Sequence, residues 1–285
     1  MRRASPLRYP GGKSAMTDLL AQIRKLNGLR NYAVAEPFAG GAGASLSLLY
    51  LEETKKIFIN DADPAIYDFW WSLINKPERF LDYLSNAKVT IEEWRLQQDI
   101  YKNPSCVSQV RRGFATFFLN RCNRSGIIVK AGPIGGMNQD GKWKLDARFN
   151  KKNLKRRCKK VSEYRDRINV SCYDGMEFFD KVDGDTTMFF IDPPYFEKGP
   201  TLYLDCLEEG YHQALADRLE AMRDKAWILT YDDCPEIRAM YEKWAYVRSY
   251  SLPYTANSRR YGREVLIAPK WIQLPSSQIS TVLRW

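Results

Sequence analysis

Short continuous apolar runs punctuate the chain. Those at residues 32–35, 56–60, 168–172, 188–191 and 227–230 show no clear polar alternation and predict buried strands. Between them, apolar positions recur at helical spacing. The helices predicted in this way cover residues 13–26, 44–51, 63–100 with breaks at Pro77 and Thr90, 107–120, 153–167, 211–222 and 235–241. Two further strand patterns follow at 246–252 and 263–267. Strands that alternate with helices predict an α/β fold. Residues 127–150 carry Gly132, Pro133, Gly135, Gly136 and Gly141, so a loop or hairpin is expected there. Residues 196–210 form a polar, Gly-containing loop, a candidate lid.

The sharpest polar feature stands where one apolar run stops. Met188-Phe189-Phe190-Ile191 leads into Asp192-Pro193-Pro194-Tyr195. Two prolines neither continue a ladder nor start a helix interior, so the strand ends at the carboxylate. Asp192 then stands at the carboxyl end of a strand, where open α/β sheets bind ligands. A side-chain carboxylate and a rigid backbone carbonyl beside a tyrosine ring suit an exocyclic amino group on a planar base. The plainer alternative is a strand that ends in a proline turn beside an incidental tyrosine.

Other strand ends and turns carry chemistry too. Glu36-Pro37-Phe38-Ala39-Gly40-Gly41-Ala42-Gly43 joins a strand to a helix, and its glycines let a ligand lie against bare backbone. The spacing is not that of the dinucleotide fingerprint. The next strand ends at Asp61, about 20 residues on, where an acid can hold ribose hydroxyls. Asp61 or Asp63 can also serve as a helix N-cap before Pro64. Upstream, Arg8-Tyr9-Pro10-Gly11-Gly12-Lys13-Ser14 makes a turn and sets a lysine at a helix start, which suits an anion. Tyr173-Asp174 ends the 168–172 strand.

Composition narrows the class. A 45% hydrophobic content with 13% aromatics excludes a disordered chain. No apolar run is long enough for a transmembrane helix, and residues 1–6 lead into no secretory core, so a cytoplasmic protein is expected. The six cysteines are widely spaced and His212 is the only histidine, which argues against zinc and against a histidine-dependent hydrolase. Charge is unevenly spread. Residues 94–170 hold 19 Lys and Arg against 5 Asp and Glu, while the remainder holds 25 against 29. A basic patch of that size points to nucleic acid, unless it is a solvated lysine-rich helix surface. Lys155, Arg156 and Lys159 on the 153–167 helix are placed for phosphate contacts. Base readout is expected from the loop between the two helices that flank it.

Taken in order, Tyr9-Pro10-Gly11-Gly12-Lys13, Glu36-Pro37-Phe38-Ala39-Gly40-Gly41, the strand end at Asp61, the basic segment with Asn120-Arg121 and Asn123-Arg124-Ser125-Gly126, and Asp192-Pro193-Pro194-Tyr195 resemble the DNA adenine methyltransferases of the D12 class, the Dam type. Arg263-Glu264-Val265-Leu266-Ile267 is similar to that family's closing strand. The resemblance spans nearly the whole chain. It implies a Rossmann-like methyltransferase sheet, formed by residues 1–93 and 171–285, with a mostly helical DNA-recognition insert at 94–170. It implies S-adenosylmethionine as cofactor, held by Tyr9, Lys13, Phe38, Gly40, Asp61, Asp174 and Asp192, with no metal. It implies catalysis by Asp192, Pro193, Pro194 and Tyr195, with Tyr195 stacked on an adenine flipped from double-stranded DNA. Arg121, Asn123, Arg124, Lys155, Arg156 and Lys159 are the expected DNA contacts. A monomer is expected. Asn-Arg-Ser-Gly lacks an aromatic that the Dam type carries there, so the target sequence stays open. An amino-methyltransferase of RNA or of cytosine N4, and a catalytically silent DNA-binding member of the fold, are the alternatives. A host regulator, a restriction partner, a phage enzyme and a defence component share these features.

Overall fold

A computed structural model describes residues 4–9, 11–196, 209–254 and 260–275. Seven strands form one sheet: β1 (Ala33–Glu36), β2 (Ile57–Asn60), β3 (Ile168–Ser171), β4 (Thr187–Ile191), β5 (Ala226–Asp232), β6 (Ala245–Tyr254) and β7 (Arg260–Pro269). Their order is β3-β2-β1-β4-β5-β7-β6. The first five neighbours pair in parallel, and β7 runs antiparallel between β5 and β6. The fold is therefore α/β with a mostly parallel sheet. The chain leaves β1 towards β2 on one side and returns through β4 on the other. That reversal opens a crevice at the carboxyl ends of β1 and β4, where such sheets take their ligands.

The apolar runs become central strands because both sheet faces are covered. Every residue of β4 and β5 is buried. Alternate side chains serve two different cores, as the period of a strand requires. Met188, Phe190, Ile228 and Leu266 belong to one, and Phe189, Ile191, Trp227, Leu229, Val265 and Ile267 to the other. The second core is roofed by α9 (Glu209–Ala221) and α10 (Pro235–Tyr241), through Leu215, Leu219 and Ile237.

On the first face lie α1 (Thr17–Leu26) and α2 (Gly43–Tyr50), followed by helices inserted between β2 and β3. These are α3 (Pro64–Asn75), α4 (Pro77–Asn86), α5 (Ile91–Lys102), α6 (Gln109–Cys122) and α7 (Lys151–Glu163). Breaks at Pro77 and Thr90 separate α3, α4 and α5, and Thr90 caps α5 through the amide of Glu93. Phe69, Phe80, Phe114, Phe117 and Phe118 pack together on α3, α4 and α6, with Phe69 and Phe117 stacked at 5.7 Å. This cluster belongs to the same core as Met188 and Phe190 of the sheet. The helical layer between β2 and β3 runs from α3 to α7. Phe80 of α4 already packs in it, and β3 pairs with β2 from Ile168 onward.

The loop at 127–150 stands on α6 through an isolated bridge of Asn123 with Pro133. Short helix α8 (Gly175–Phe178) follows β3, capped by Asp174. No helix among the described residues is long and apolar enough to cross a membrane. Most of the candidate lid, residues 197–208, lies outside the described residues.

Candidate active site

Asp192 follows the last residue of β4 and sits in the crevice. Its Oδ1 is gripped from three sides. Lys13 Nζ lies 2.9 Å away, Thr230 of β5 donates at 2.7 Å, and the Tyr195 hydroxyl donates at 3.2 Å. Among the described residues these contacts all fall on Oδ1, and the side chain keeps 24% of its surface open. Oδ2 is therefore the acceptor Asp192 presents to the adjoining cavity. Burial raises the carboxyl pKa, the charge of Lys13 opposes that rise, and Glu264 adds to it.

Lys13 sits in a 3-10 turn that precedes α1, rather than in the helix itself. Its ammonium is buried. Besides Asp192 it reaches the Tyr195 hydroxyl at 2.5 Å, the Gly11 carbonyl at 3.1 Å and Glu264 at 3.6 Å. Burial works against this charge, but the two carboxylates outweigh it and hold the pKa above the ordinary lysine value. The anion suited to this lysine is thus supplied by the protein.

A cavity of about 600 Å³ opens beside this cluster. Tyr9, Lys13, Phe38, Gly40, Asp61, Asp174 and Asp192 all line it, although they come from positions spread across most of the chain. Its floor is the turn after β1. Gly40 has a left-handed φ of 45°, and a Cβ there would lie 2.6 Å from the Tyr9 ring. Asp61 Oδ2 accepts from the Gly40 amide at 2.8 Å and Oδ1 accepts from the Asp63 amide at 3.0 Å. The β2 acid thereby fixes the glycine turn. Asp63 caps α3 by accepting from Ala65, the second of its two expected roles.

Asn60, fully buried, ties the three strand ends together. Its amide donates to the carbonyls of Pro37 and Tyr173, and its oxygen accepts from Ser171 and Tyr173. Glu36, at the end of β1, also lines the cavity, with Oε1 accepting from the Ser45 amide at 2.9 Å.

Three expected site residues make contacts within the protein. Tyr195 is not a free face on the cavity: its ring is 8% exposed and its hydroxyl joins Lys13 and Asp192. Asn123 is buried. Its amide accepts from Trp94 Nε1 and donates to Ile127 and Ile128, so it holds the loop instead of facing outward. Arg121 binds the Arg148 carbonyl through two nitrogens. Arg124, Lys155, Arg156 and Lys159 are exposed.

Glu264 and Thr230 join the site unannounced. Thr230 gave no signal in a buried strand. Glu264 did, as a lone acid in the apolar run Val265-Leu266-Ile267, but its partner is visible only in three dimensions.

Residues 9–255 match the family described as D12 class N6 adenine-specific DNA methyltransferase. The Type II methyltransferase M.MjaIII of Methanocaldococcus jannaschii is 27% identical over 207 residues, covering 66% of this chain and 68% of that protein. Among solved structures, a class I S-adenosylmethionine-dependent methyltransferase from Listeria monocytogenes aligns with a TM-score of 0.38 and 9% identity, over 92% of this chain and 62% of that one. The rRNA methyltransferase AviRa from Streptomyces viridochromogenes aligns with a TM-score of 0.33 and 12% identity, over 87% and 83%.

Proposed function

The chain belongs to the D12 class of N6 adenine-specific DNA methyltransferases, and on that premise we propose that it methylates N6 of an adenine turned out of double-stranded DNA, using S-adenosylmethionine. The observation that carries the reading is Asp192, fixed through Oδ1 at the sheet's reversal point with Oδ2 left for a ligand in the cavity.

The cavity residues fit the cofactor. A purine nucleoside bearing a cation calls for apolar walls, hydroxyl acceptors and bare backbone. Tyr9 and Phe38 are the walls, Asp61 and Asp174 the acceptors, and Gly40 and Gly41 the backbone. S-adenosylmethionine, when bound, supplies a methyl group already activated as a sulfonium.

The remaining work is positioning, the main lever in an in-line displacement. Asp192 Oδ2 and the Pro193 carbonyl accept from the N6 amino group. They turn its lone pair, otherwise delocalised into the ring, towards the methyl carbon. Once methylated, N6 sheds a proton, so Asp192 need not act as a strong base beforehand. Pro194 borders the cavity and holds this acceptor pair rigid. For Tyr195 to stack on the base, its hydroxyl must first leave Lys13 and Asp192. Arg124, Lys155, Arg156 and Lys159 hold the duplex by its phosphates.

The test is transfer of labelled methyl from S-adenosylmethionine to mixed-sequence duplex DNA, followed by nucleoside analysis. N6-methyladenine is expected, and Asp192→Ala is expected to lower turnover on the order of a thousandfold. Label on cytosine N4, label on RNA alone, or no transfer by the wild type would each overturn the proposal.

A further inference from the structure

We propose that Trp143 is an aromatic contact to the substrate duplex: its indole stacks in the base step that opens when the target adenine leaves the helix. This deepens the methyltransferase reading above and rests on it.

Trp143 is the most exposed large apolar side chain among the described residues, at 64%. A single exposed apolar residue is ordinary on a protein surface. The loop that holds this one sets it apart. Gln139 has a left-handed φ of 52°, which a non-glycine residue adopts only where its surroundings hold it there. Its side-chain nitrogen donates to the carbonyls of Ile134 and Gly136 at 2.8 and 2.6 Å, and its side-chain oxygen accepts from the Leu145 amide at 2.8 Å. The two limbs of the loop are thereby tied to each other. Both are also anchored on the helical layer. The Ile134 amide donates to the Cys122 carbonyl of α6 at 2.8 Å, and Leu145 and Phe149 are buried in the aromatic core. The indole is displayed on a fixed frame, so the backbone beneath it loses little freedom on binding.

The surrounding charge points to the partner. Arg124, Lys130, Lys142, Lys144 and Arg148 are exposed on this loop and its root, against Asp140 and Asp146. Lys142 Nζ lies 6.0 Å from the centre of the indole. A hydrophobic partner would have to strip water from these cations, whereas phosphates pair with them. Phosphates offer an indole nothing, but a base offers a π-face. In a closed duplex those faces are covered by neighbouring bases. Flipping uncovers the two that flanked the target, and an indole in the gap stabilises the open state. The root of the loop adjoins the cavity that would receive the base. Asn120 exchanges two hydrogen bonds of 2.7 Å with the backbone of Arg8, and Arg8 donates to the Asn123 carbonyl at 3.3 Å. The next residue, Tyr9, lines the cavity.

The test uses the full chain and a duplex carrying the wild-type enzyme's mapped site. Trp143→Ala is expected to lower kcat/KM for transfer of labelled methyl about tenfold to a hundredfold, with the affinity for S-adenosylmethionine close to wild type. With 2-aminopurine in place of the target adenine, emission rises as that base leaves the stack. At saturating protein the rise is expected to be smaller for Trp143→Ala than for the wild type. Trp143→Phe keeps a stacking face and is expected to retain most of both signals. The slope of log affinity against log salt is expected to be unchanged in Trp143→Ala, because no phosphate contact is removed. Wild-type transfer by Trp143→Ala overturns the proposal and leaves the indole to a partner other than the duplex. A full emission rise in Trp143→Ala overturns it too, as does a loss that Trp143→Phe shares in full. A wild type that methylates no duplex overturns the methyltransferase reading and this inference with it, whereas an active wild type matched by Trp143→Ala overturns this inference alone.

Discussion

Glu36 shows a single residue working against the stability of its own fold. Burial pushes its carboxyl up to about 7, against the hydrogen bonds from Ser45, and the charge of Asp192 adds to the rise. The ordinary value is 4.5, so the folded state binds this proton more tightly than the unfolded one. The stabilising contribution of the bound proton is full below the ordinary value and is lost as pH climbs towards 7. The loss amounts to about 3 kcal/mol, an order-of-magnitude figure. Glu36→Gln keeps an acceptor for Ser45 and removes the charge. Thermal melts from pH 5 to 9 should show it gaining on the wild type as pH rises, by roughly 5–10 °C at the alkaline end. Parallel curves would mean that the carboxylate is solvated and costs nothing. A cavity wall that would be more stable neutral fits a site for a cation, such as the proposed sulfonium. The same variant should therefore bind S-adenosylmethionine more weakly at pH 8, which calorimetry can check.

Helices and strands were the legible level of this chain, because their signals are local. Continuous apolar runs marked the central strands, Pro77 and Thr90 marked the breaks, and the proline pair fixed where β4 stops. The candidate site was legible only as a set of strand ends and turns. Lys13 and Tyr195 stand 182 positions apart, and nothing near either residue announces their bond. The inward turn of Asn123 is hidden for the same reason, since its partner Trp94 lies on another helix. Gly113 is a further example. In the middle of α6 it looks like a weak helix position, because Ala would be favoured there by about 1 kcal/mol. A Cβ at 113 would lie 2.3 Å from the Asp68 carbonyl oxygen of α3, which is backbone and cannot swing away. Gly113 is what lets α3 and α6 meet, next to the ion pair of Arg112 with Asp68. Gly113→Ala should therefore destabilise by about 1–3 kcal/mol despite its better propensity. Urea unfolding measures this, and a variant as stable as the wild type would show that the helices part without cost.

Across the whole molecule, charge and chemistry occupy different parts of one body. Acidic side chains gather at the sheet's crevice, while the helical layer carries the basic excess. α7 makes the division explicit. Leu154, Cys158 and Val161 are buried on the aromatic core, and Lys155, Arg156 and Lys159 are exposed. A helix held by its apolar stripe can carry cations outward without needing them to fold. Changing all three to Gln should shift stability by no more than about 0.5 kcal/mol. Binding to duplex DNA should behave differently. Each lost phosphate contact lowers the slope of log affinity against log salt by roughly 0.9, so the triple variant should lose about 2–3 from that slope. The weakening should be uniform across sequences, since phosphates carry no base identity, and turnover at saturating DNA should be unchanged. A salt titration followed by fluorescence anisotropy reads the slope directly. An unchanged slope would take the phosphate contacts off α7 and move the duplex towards Arg124 and Lys130 of the adjoining loop, leaving α7 as the solvated surface that its composition also allowed.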